Sequence, residues 1–500
     1  MKEKNYVLLI SLIFFLFEVI IGSRIFIWLD EGFTLNTTTE SIQESVRRSI
    51  IFEGQPPLYF LLLTIWRKLN TSIFFARLFS ILCATASIPL FYNYLKLTRS
   101  KLNPIITTVF FALNPTLIWA GLEIRVYAMI LLCSLLLFIY FHKFYISDKI
   151  TIKKRLFFIL LSVISIHTQY YLAIILFLNF IFLHFTNRKV AFIYLIDMII
   201  PVISLIPYFL FIPDQIAFMT VNKIYGISDY IMYWFRFIRY FILPIPKVFQ
   251  SNTLNLVLFL MFFVLIVGSV YPKFKSLIKN MLSIEKYSII LVSITIVVIH
   301  FLMFKLGMAT ASPRHFIFLL TPFIILFFTV IYNITNKNLK ALFVTLLILF
   351  NFGNIVSKAP DFGKDEDLIG ISKYINSNNK RYNPILFYTG DIKILYEFTN
   401  NHTKLYSIPN EIDLSVQYDH PSWFIKNEDE LTLFFDKLDS INTFWIIDNE
   451  VNPLTEELLE KRFQCKVNFE LLDKYISDNF NVIESKTFND LYRLRKITRK

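Results

Sequence analysis

Apolar runs long enough to cross a bilayer recur from Tyr6 to Val356, more than one soluble core would bury. Of the 500 residues 55% are hydrophobic and 17% charged, and mean hydropathy is +0.55, so the sequence predicts an α-helical polytopic membrane protein. In a soluble chain, 50 Lys+Arg against 37 Asp+Glu would suggest nucleic acid. Here much of the excess falls in short loops between apolar runs, where it reports topology, and no nucleic-acid partner is expected. Cys83 and Cys133 lie inside apolar runs and Cys465 stands alone, which leaves neither a disulfide pattern nor a Cys-based zinc spacing. The start MKEK precedes an apolar stretch too long for a signal peptide and without a small-x-small cleavage site, so it reads as a retained first helix.

Lys2 and Lys4 place the N-terminus on the cytoplasmic side, and the first run, ending at Leu29, delivers Asp30 and Glu31 to the outer surface. Further spans are predicted near 72–95, 104–121, 126–144, 156–169, 170–185, 190–212, 254–271, 287–304, 315–332 and 340–357. If these alternate, the inward loops carry Lys96, Arg99 and Lys101, then Lys149, Lys153, Lys154 and Arg155, then Arg188 and Lys189, then Lys273, Lys275 and Lys279, then Lys337 and Lys340. Every inward loop is then basic. This requires that Pro56–Trp66, only about half a span long, lie in the outer interface beside the amphipathic stretch Ser41–Phe52. About eleven spans result, and the odd number sends the C-terminus outward.

Beyond Lys358 charged and polar residues become frequent. ILFYTG (385–390) and TFWIID (443–448) read as strands, while DEDLIGISKYI, DIKILYEF, EDELTLFFDKL and PLTEELLEKRF read as helices. The expected organisation is a transmembrane domain over 1–357 and an extracytoplasmic α/β domain over 358–500.

Polar residues gather in the outward loops. The first holds Asp30, Glu31, Glu53, Gln55 and Tyr59, the second Glu123, Arg125 and Tyr127, and the third His167, Gln169, Tyr170 and Tyr171. A long fourth loop from about Pro213 to Asn252 carries Lys223, Arg236, Arg239 and Lys247, and the fifth Lys305, Arg314 and His315. Taken singly, the acidic pair is also a helix boundary, Glu123 and Arg125 an ion pair, and His167 a packing residue. Outward basic residues run against the positive-inside trend, which suggests a bound anion such as a lipid phosphate.

The segments WLDEGFTL, QPPLYFLLLTIWRKL, RLFS (Arg77–Ser80), NPTLIWAGLEIRVYA, HTQYY and SPRHFIFLLTP together resemble the GT-C superfamily of membrane glycosyltransferases, in the branch of the protein O-mannosyltransferases and the aminoarabinose transferase of lipid A. The resemblance covers roughly residues 1–330. It implies transfer of a sugar from a polyprenyl-phosphate carrier to a protein, lipid or glycan acceptor at the outer membrane face, and the heavy use of Ile, Phe, Lys and Asn suggests a bacterial inner (plasma) membrane.

In that reading Asp30 is the general base that takes the proton of the acceptor hydroxyl, Glu31 a helper, and Glu123 a further carboxylate. Arg314 and Arg125, with Lys305 or His315, supply positive charge to the departing phosphate. Gln55, Tyr59, Tyr127, His167 and Gln169 complete the substrate-binding set. Gln55 stands where related enzymes often carry His or Lys, and it can hydrogen-bond but holds no charge. A single displacement with inversion is the simplest course. No cofactor is fixed, although Asp30, Glu31 and Glu123 offer oxygen ligands to a divalent cation. Two other readings stay open: a transporter or flippase of lipid-linked glycans, which would place ionisable groups at midplane depth, where the spans hold chiefly Glu18 and Asp197, and an assembly subunit.

Overall fold

The computed structural model describes residues 2–39, 41–147, 150–208, 283–302, 313–358, 366–379, 383–399, 403–414, 423–449, 468–488 and 491–500, with positions 210, 211, 233, 234, 237, 241, 264 and 268. In chain order the first helices are α1 (Lys2–Gly22), α2 (Leu29–Thr37), α3 (Ile42–Ile51), α4 (Leu58–Arg67) and α5 (Ile73–Leu97). Next come α6 (Pro104–Ala112), α7 (Pro115–Leu122), α8 (Tyr127–Phe141), α9 (Ile152–Thr168), α10 (Ala173–Thr186), α11 (Arg188–Asp197) and α12 (Ile199–Ser204). After these lie α13 (Ser283–His300), a 3-10 turn over Pro313–Leu319, α14 (Leu320–Tyr332) and α15 (Lys337–Lys358). The chain divides into two compact units, Met1–Arg24 with Gln55–Phe362, and Ile25–Gly54 with Gly363–Lys500. The segment Ile25–Gly54, which sequence order groups with the membrane helices, thus folds with the C-terminal residues.

The first unit is that of a multi-pass membrane protein. Among the described residues, four helical stretches of this unit are long and apolar enough to cross a bilayer: Lys2–Gly22, Ile73–Leu97, Tyr127–Ile146 and Pro313–Tyr332. A fifth is counted if α6 and α7, bent by 49° at their junction, form one broken span. The predicted run 254–271 lies outside the described residues except for 264 and 268, as does the helix read in PLTEELLEKRF. Lipid-facing and buried stripes separate cleanly on α1: Leu8, Leu9, Leu12, Ile13, Leu16 and Ile20 are exposed, whereas Val7, Ser11, Phe14, Glu18 and Gly22 are buried.

The bend between α6 and α7 follows from two Asn-Pro pairs. Asn103 caps α6 and Asn114 caps α7, the latter accepting from the Thr116 N–H at 2.9 Å. Pro104 and Pro115 sit at the first helical position, where the missing N–H costs nothing, and Pro115 cannot continue the hydrogen-bond ladder of α6. The stretch expected as one run over 104–121 is therefore two helices. Asp197, one of the ionisable residues inside the spans, accepts from Tyr145 Oη at 2.6 Å and from Arg155 Nη2 at 2.7 Å, so it serves packing.

In the second unit a five-stranded sheet has the order β2-β1-β3-β5-β4, with β1 (Ile385–Tyr388), β2 (Leu405–Ser407), β3 (Thr443–Asp448), β4 (Phe480–Phe488) and β5 (Tyr492–Arg499). The first three strands are parallel, with Ile385 opposite Leu405 and Trp445, and β5 runs antiparallel to β3 and β4. Every residue of β1 is buried, as expected of a parallel strand covered on both faces. The accompanying helices are α16 (Glu366–Asn378), α17 (Gly390–Tyr396), α18 (Glu428–Asp436) and α19 (Phe469–Asn479).

The loop segment is built into this core. Phe33 and Phe52 join Leu386, Trp423, Phe435 and Ile446 in one apolar cluster, with the Phe33 and Phe52 rings 5.0 Å apart. Gly32 lies so close to α17 that an added Cβ would sit 3.1 Å from Leu395 and 3.3 Å from Ile394. The helix carrying Asp30 and Glu31 therefore rests on the helix that follows β1.

Candidate active site

The two halves of the predicted site belong to different units. In the second unit, Asp30 and Glu31 occupy the first turn of α2, where negative charge is favoured by the helix dipole. Glu31 is fully buried and its Oε2 accepts the Trp28 N–H at 3.2 Å, closing a capping box. Its position in the fold is that of a helix cap. Asp30 is half-buried, and its backbone carbonyl accepts from Thr34 Oγ1 at 3.1 Å.

The C-terminal end of α2 is tied to α3: Arg48 Nη1 donates to the Asn36 carbonyl at 3.2 Å, and its Nε donates to Glu44 Oε1 at 2.8 Å. Arg47 also holds Glu44, through Nε at 2.9 Å. Hydrogen bonding from Arg47, together with Arg48 and against a small burial cost, pushes the Glu44 carboxyl down to about 2 from 4.5. Because the folded value is depressed, the stability it contributes is complete above about pH 4.5 and is lost as pH falls through about 2. The denaturation midpoint of wild type relative to Glu44→Gln, followed by tryptophan fluorescence, is expected to be highest near neutrality and to converge across that window.

In the first unit Gln55 and Tyr59 open the interfacial stretch. Gln55 is buried and its Oε1 accepts no hydrogen bond among the described residues. Tyr59 is buried in α4 against Phe60 and Phe79, at ring distances of 5.4 and 6.0 Å. Glu123 terminates α7 in extended conformation and is fully buried, and Arg125 is nearly so.

Tyr127 begins α8 and stacks on Trp119 at 5.1 Å. The Arg314 guanidinium lies over the Tyr127 ring at 5.8 Å, and His315 meets the same ring edge-on at 5.9 Å. Tyr171 closes on His315 at 6.5 Å and stacks on Phe316 at 4.6 Å. The positive charges acting on His315 are those of Arg314 and Arg125. Arg125, Tyr127, Arg314 and His315, scattered over two loops in sequence, thus form one cationic, aromatic-walled cluster.

His167 and Gln169 are placed differently. His167 Nε2 lies 3.0 Å from Ser204 Oγ and its ring 5.3 Å from Tyr208, while Gln169 is the buried C-cap of α9. Lys305 and most of the fourth outward loop lie outside the described residues. Among the described residues no group of three or more His, Cys, Asp or Glu side chains could hold a metal ion. Of the three carboxylates considered for that role, Asp30 and Glu31 belong to one unit and Glu123 to the other. Tyr171 and Trp119 add to the cluster without a charge to mark them in the sequence.

Compared with solved structures, the chain matches ArnT from Cupriavidus metallidurans in the apo state at 11% identity with a TM-score of 0.56, covering 99% of this chain and 98% of that one. The chain shares the fold of that structure. It also matches the same protein bound to undecaprenyl phosphate, at 10% identity, TM-score 0.52, and 98% and 97% coverage. The archaeal oligosaccharyltransferase AglB from Archaeoglobus fulgidus matches at 10% identity and a TM-score of 0.45, over 89% of this chain and 70% of that one. No family model matches the sequence, and no curated protein matches it. At such identities what is shared is the fold, and the chemistry must be argued from the side chains.

Proposed function

We propose that this GT-C protein is a glycosyltransferase that moves a sugar from a polyprenyl-phosphate donor to an acceptor hydroxyl at the outer face of the cell's inner membrane, with Asp30 as general base. The observation that carries this reading is the gathering of Arg125 and Arg314 about Tyr127 and His315 in the membrane unit, where buried positive charge is costly. A lipid phosphate would offset that cost, and the ArnT structure of the same fold is one bound to undecaprenyl phosphate. Asp197, paired with Arg155 and Tyr145, has a packing role, which removes one motive for a transporter.

In this mechanism the acceptor oxygen attacks C1 of the sugar as its proton passes to the Asp30 carboxylate. The C1–O bond to phosphate breaks, and its electron pair leaves with the phosphate, whose charge Arg314 and Arg125 stabilise. One displacement inverts the configuration at C1. Gln55, Tyr59 and Glu123 are assigned to holding sugar or acceptor, and the α/β unit to the extracytoplasmic side.

Deleting the gene and profiling glycans and lipids by mass spectrometry is expected to show one glycan or glycolipid lacking a single sugar, with the corresponding polyprenyl-phosphate sugar accumulating. No change in any such species rejects the reading. With that donor in hand, Arg314→Gln is expected to weaken donor use by about tenfold to a hundredfold in kcat/KM, the scale of one charge-assisted hydrogen bond.

A further inference from the structure

Glu18 and Arg77 are fully buried in the membrane unit, and the proposed chemistry uses neither. Glu18 lies on the buried stripe of α1, and both of its carboxylate oxygens accept no hydrogen bond among the described residues. Arg77, on the second turn of α5, supplies the charge that acts on it. One turn beyond Glu18 on the same face of α1, the Gly22 carbonyl accepts from Arg77 Nη1 at 2.6 Å. The guanidinium therefore satisfies a carbonyl in the last turn of α1, where positive charge suits the helix dipole, and lies within electrostatic reach of Glu18.

The other side of the pair is α7. A Cβ placed on Gly121 would lie 2.5 Å from Glu18 Oε2, 3.1 Å from its Cδ and 3.2 Å from Ala84 Cβ. A Cβ on Gly22 would lie 3.2 Å from Arg77 Cδ and 3.5 Å from Leu122. The three helices thus meet at van der Waals contact around Glu18 and Arg77, with two glycines providing the room. One turn further along α5, Ser80 Oγ is 3.5 Å from the Arg125 carbonyl. Leu122 is the last residue of α7, and Glu123 and Arg125 follow at once. The RLFS motif therefore faces both the end of α1 and the corner that carries two residues of the proposed site.

Buried ionisable side chains seldom add net stability, since well-packed apolar residues do as well or better. Its value here is in geometry. We infer that Arg77 and Glu18 are positioning residues, which lock the end of α1 and the Gly121–Arg125 corner onto one face of α5 and so fix where Glu123 and Arg125 stand. The inference rests on the transfer reading for its kinetic consequence but not for its structural one. Arg77 is sealed from solvent and engaged with Gly22, which separates it from a residue that binds donor phosphate directly.

The test compares wild type, Arg77→Met, Arg77→Lys and Gly121→Ala in the full chain, reconstituted in vesicles. For Arg77→Met, kcat for sugar transfer is expected to fall about a hundredfold, the scale of a misplacement of about 1 Å, while donor KM stays within about threefold. Arg77→Lys, which keeps the charge and a donor for Gly22, is expected to recover most of that loss. Gly121→Ala, which displaces the Glu18 carboxyl group without removing a charge, is expected to give a smaller loss in kcat.

Hydrogen exchange of peptides spanning 17–24 and 121–127 reads the lock without any enzymatic assay. It is expected to quicken in both peptides in Arg77→Met and to stay near wild type in Arg77→Lys. Unchanged exchange, or a rise in donor KM with kcat intact, overturns the inference. Absence of transfer by wild type would defeat the functional reading while exchange still decides the positioning claim. If Arg77→Met does not fold, Gly121→Ala decides by the same two readouts.

Discussion

Replacing Asp30 by asparagine is expected to lower sugar transfer by about 10²–10⁴-fold, the range that one general base contributes. Asparagine keeps the shape and hydrogen-bonding reach of the carboxylate but cannot take up the hydroxyl proton as the bond to C1 forms. Asp30 is half-buried in the first turn of α2, and its backbone carbonyl accepts from Thr34 Oγ1. Glu31 closes the cap on Trp28, and Phe33 and Gly32 hold the helix in the second unit, all independently of the Asp30 side chain. Membrane insertion, thermal midpoint and donor binding are therefore expected to match wild type while turnover disappears. Retained turnover would remove Asp30 from the chemistry and return attention to Glu123, the other carboxylate beside the cationic cluster in sequence.

What the sequence makes legible here depends on whether the determining interaction is local. Membrane helices such as Lys2–Gly22 and Ile73–Leu97 follow from apolar runs of bilayer length, and β1 and β3 from short apolar runs rich in β-branched and aromatic residues. By contrast β4, FNVIESKTF, is an edge strand with its residues largely exposed, and β5, YRLRKITR, carries arginines that pair with Asp448 and Asp473, so neither composition marks a strand.

Two features escape a linear reading for other reasons. The incorporation of Ile25–Gly54 into the α/β unit rests on Phe33 and Phe52 meeting residues such as Trp423, distant in the chain, and no local pattern names a tertiary partner. Arg77 is conspicuous as a charge in an apolar run, yet its hydrogen-bond partner is the Gly22 backbone, which has no side-chain signature. The cationic cluster is half legible: Arg125, Tyr127, Arg314 and His315 are each marked by charge or motif and Tyr171 by its place in HTQYY, whereas Trp119 carries no mark that sets it apart from the chain's many other aromatics.

Asp448→Asn is expected to destabilise the second unit by about 3–5 kcal/mol, the cost of leaving buried charge without its partner. Asp448 is the last residue of β3 and fully buried. Its Oδ1 accepts from Arg493 Nε at 3.0 Å and its Oδ2 from Arg495 Nη2 at 2.8 Å, both arginines coming from the neighbouring antiparallel strand. Asp473 on α19 accepts from the same two guanidinium groups, at 2.8 Å from Arg493 and 2.5 Å from Arg495. The four side chains tie β3, β5 and α19 together, and removing one of the two negative charges leaves two arginines, one of them almost wholly buried, facing a single carboxylate. Burial raises the pKa of Asp473, but Arg495 and Arg493 outweigh it and hold the carboxyl below its ordinary value, so acid weakens the same network from the other side. Against a typical domain stability of about 5–15 kcal/mol, the substitution brings the unit near its folding threshold. Urea unfolding followed by the fluorescence of the tryptophans, Trp445 among them, is expected to show an early transition absent from wild type. Because α2 is packed into this unit, the variant is further expected to lose transfer at temperatures where the membrane helices stay folded. A midpoint shift worth less than about 1 kcal/mol would show that the arginines find water or another acceptor, and would sever the α/β unit from the support of Asp30.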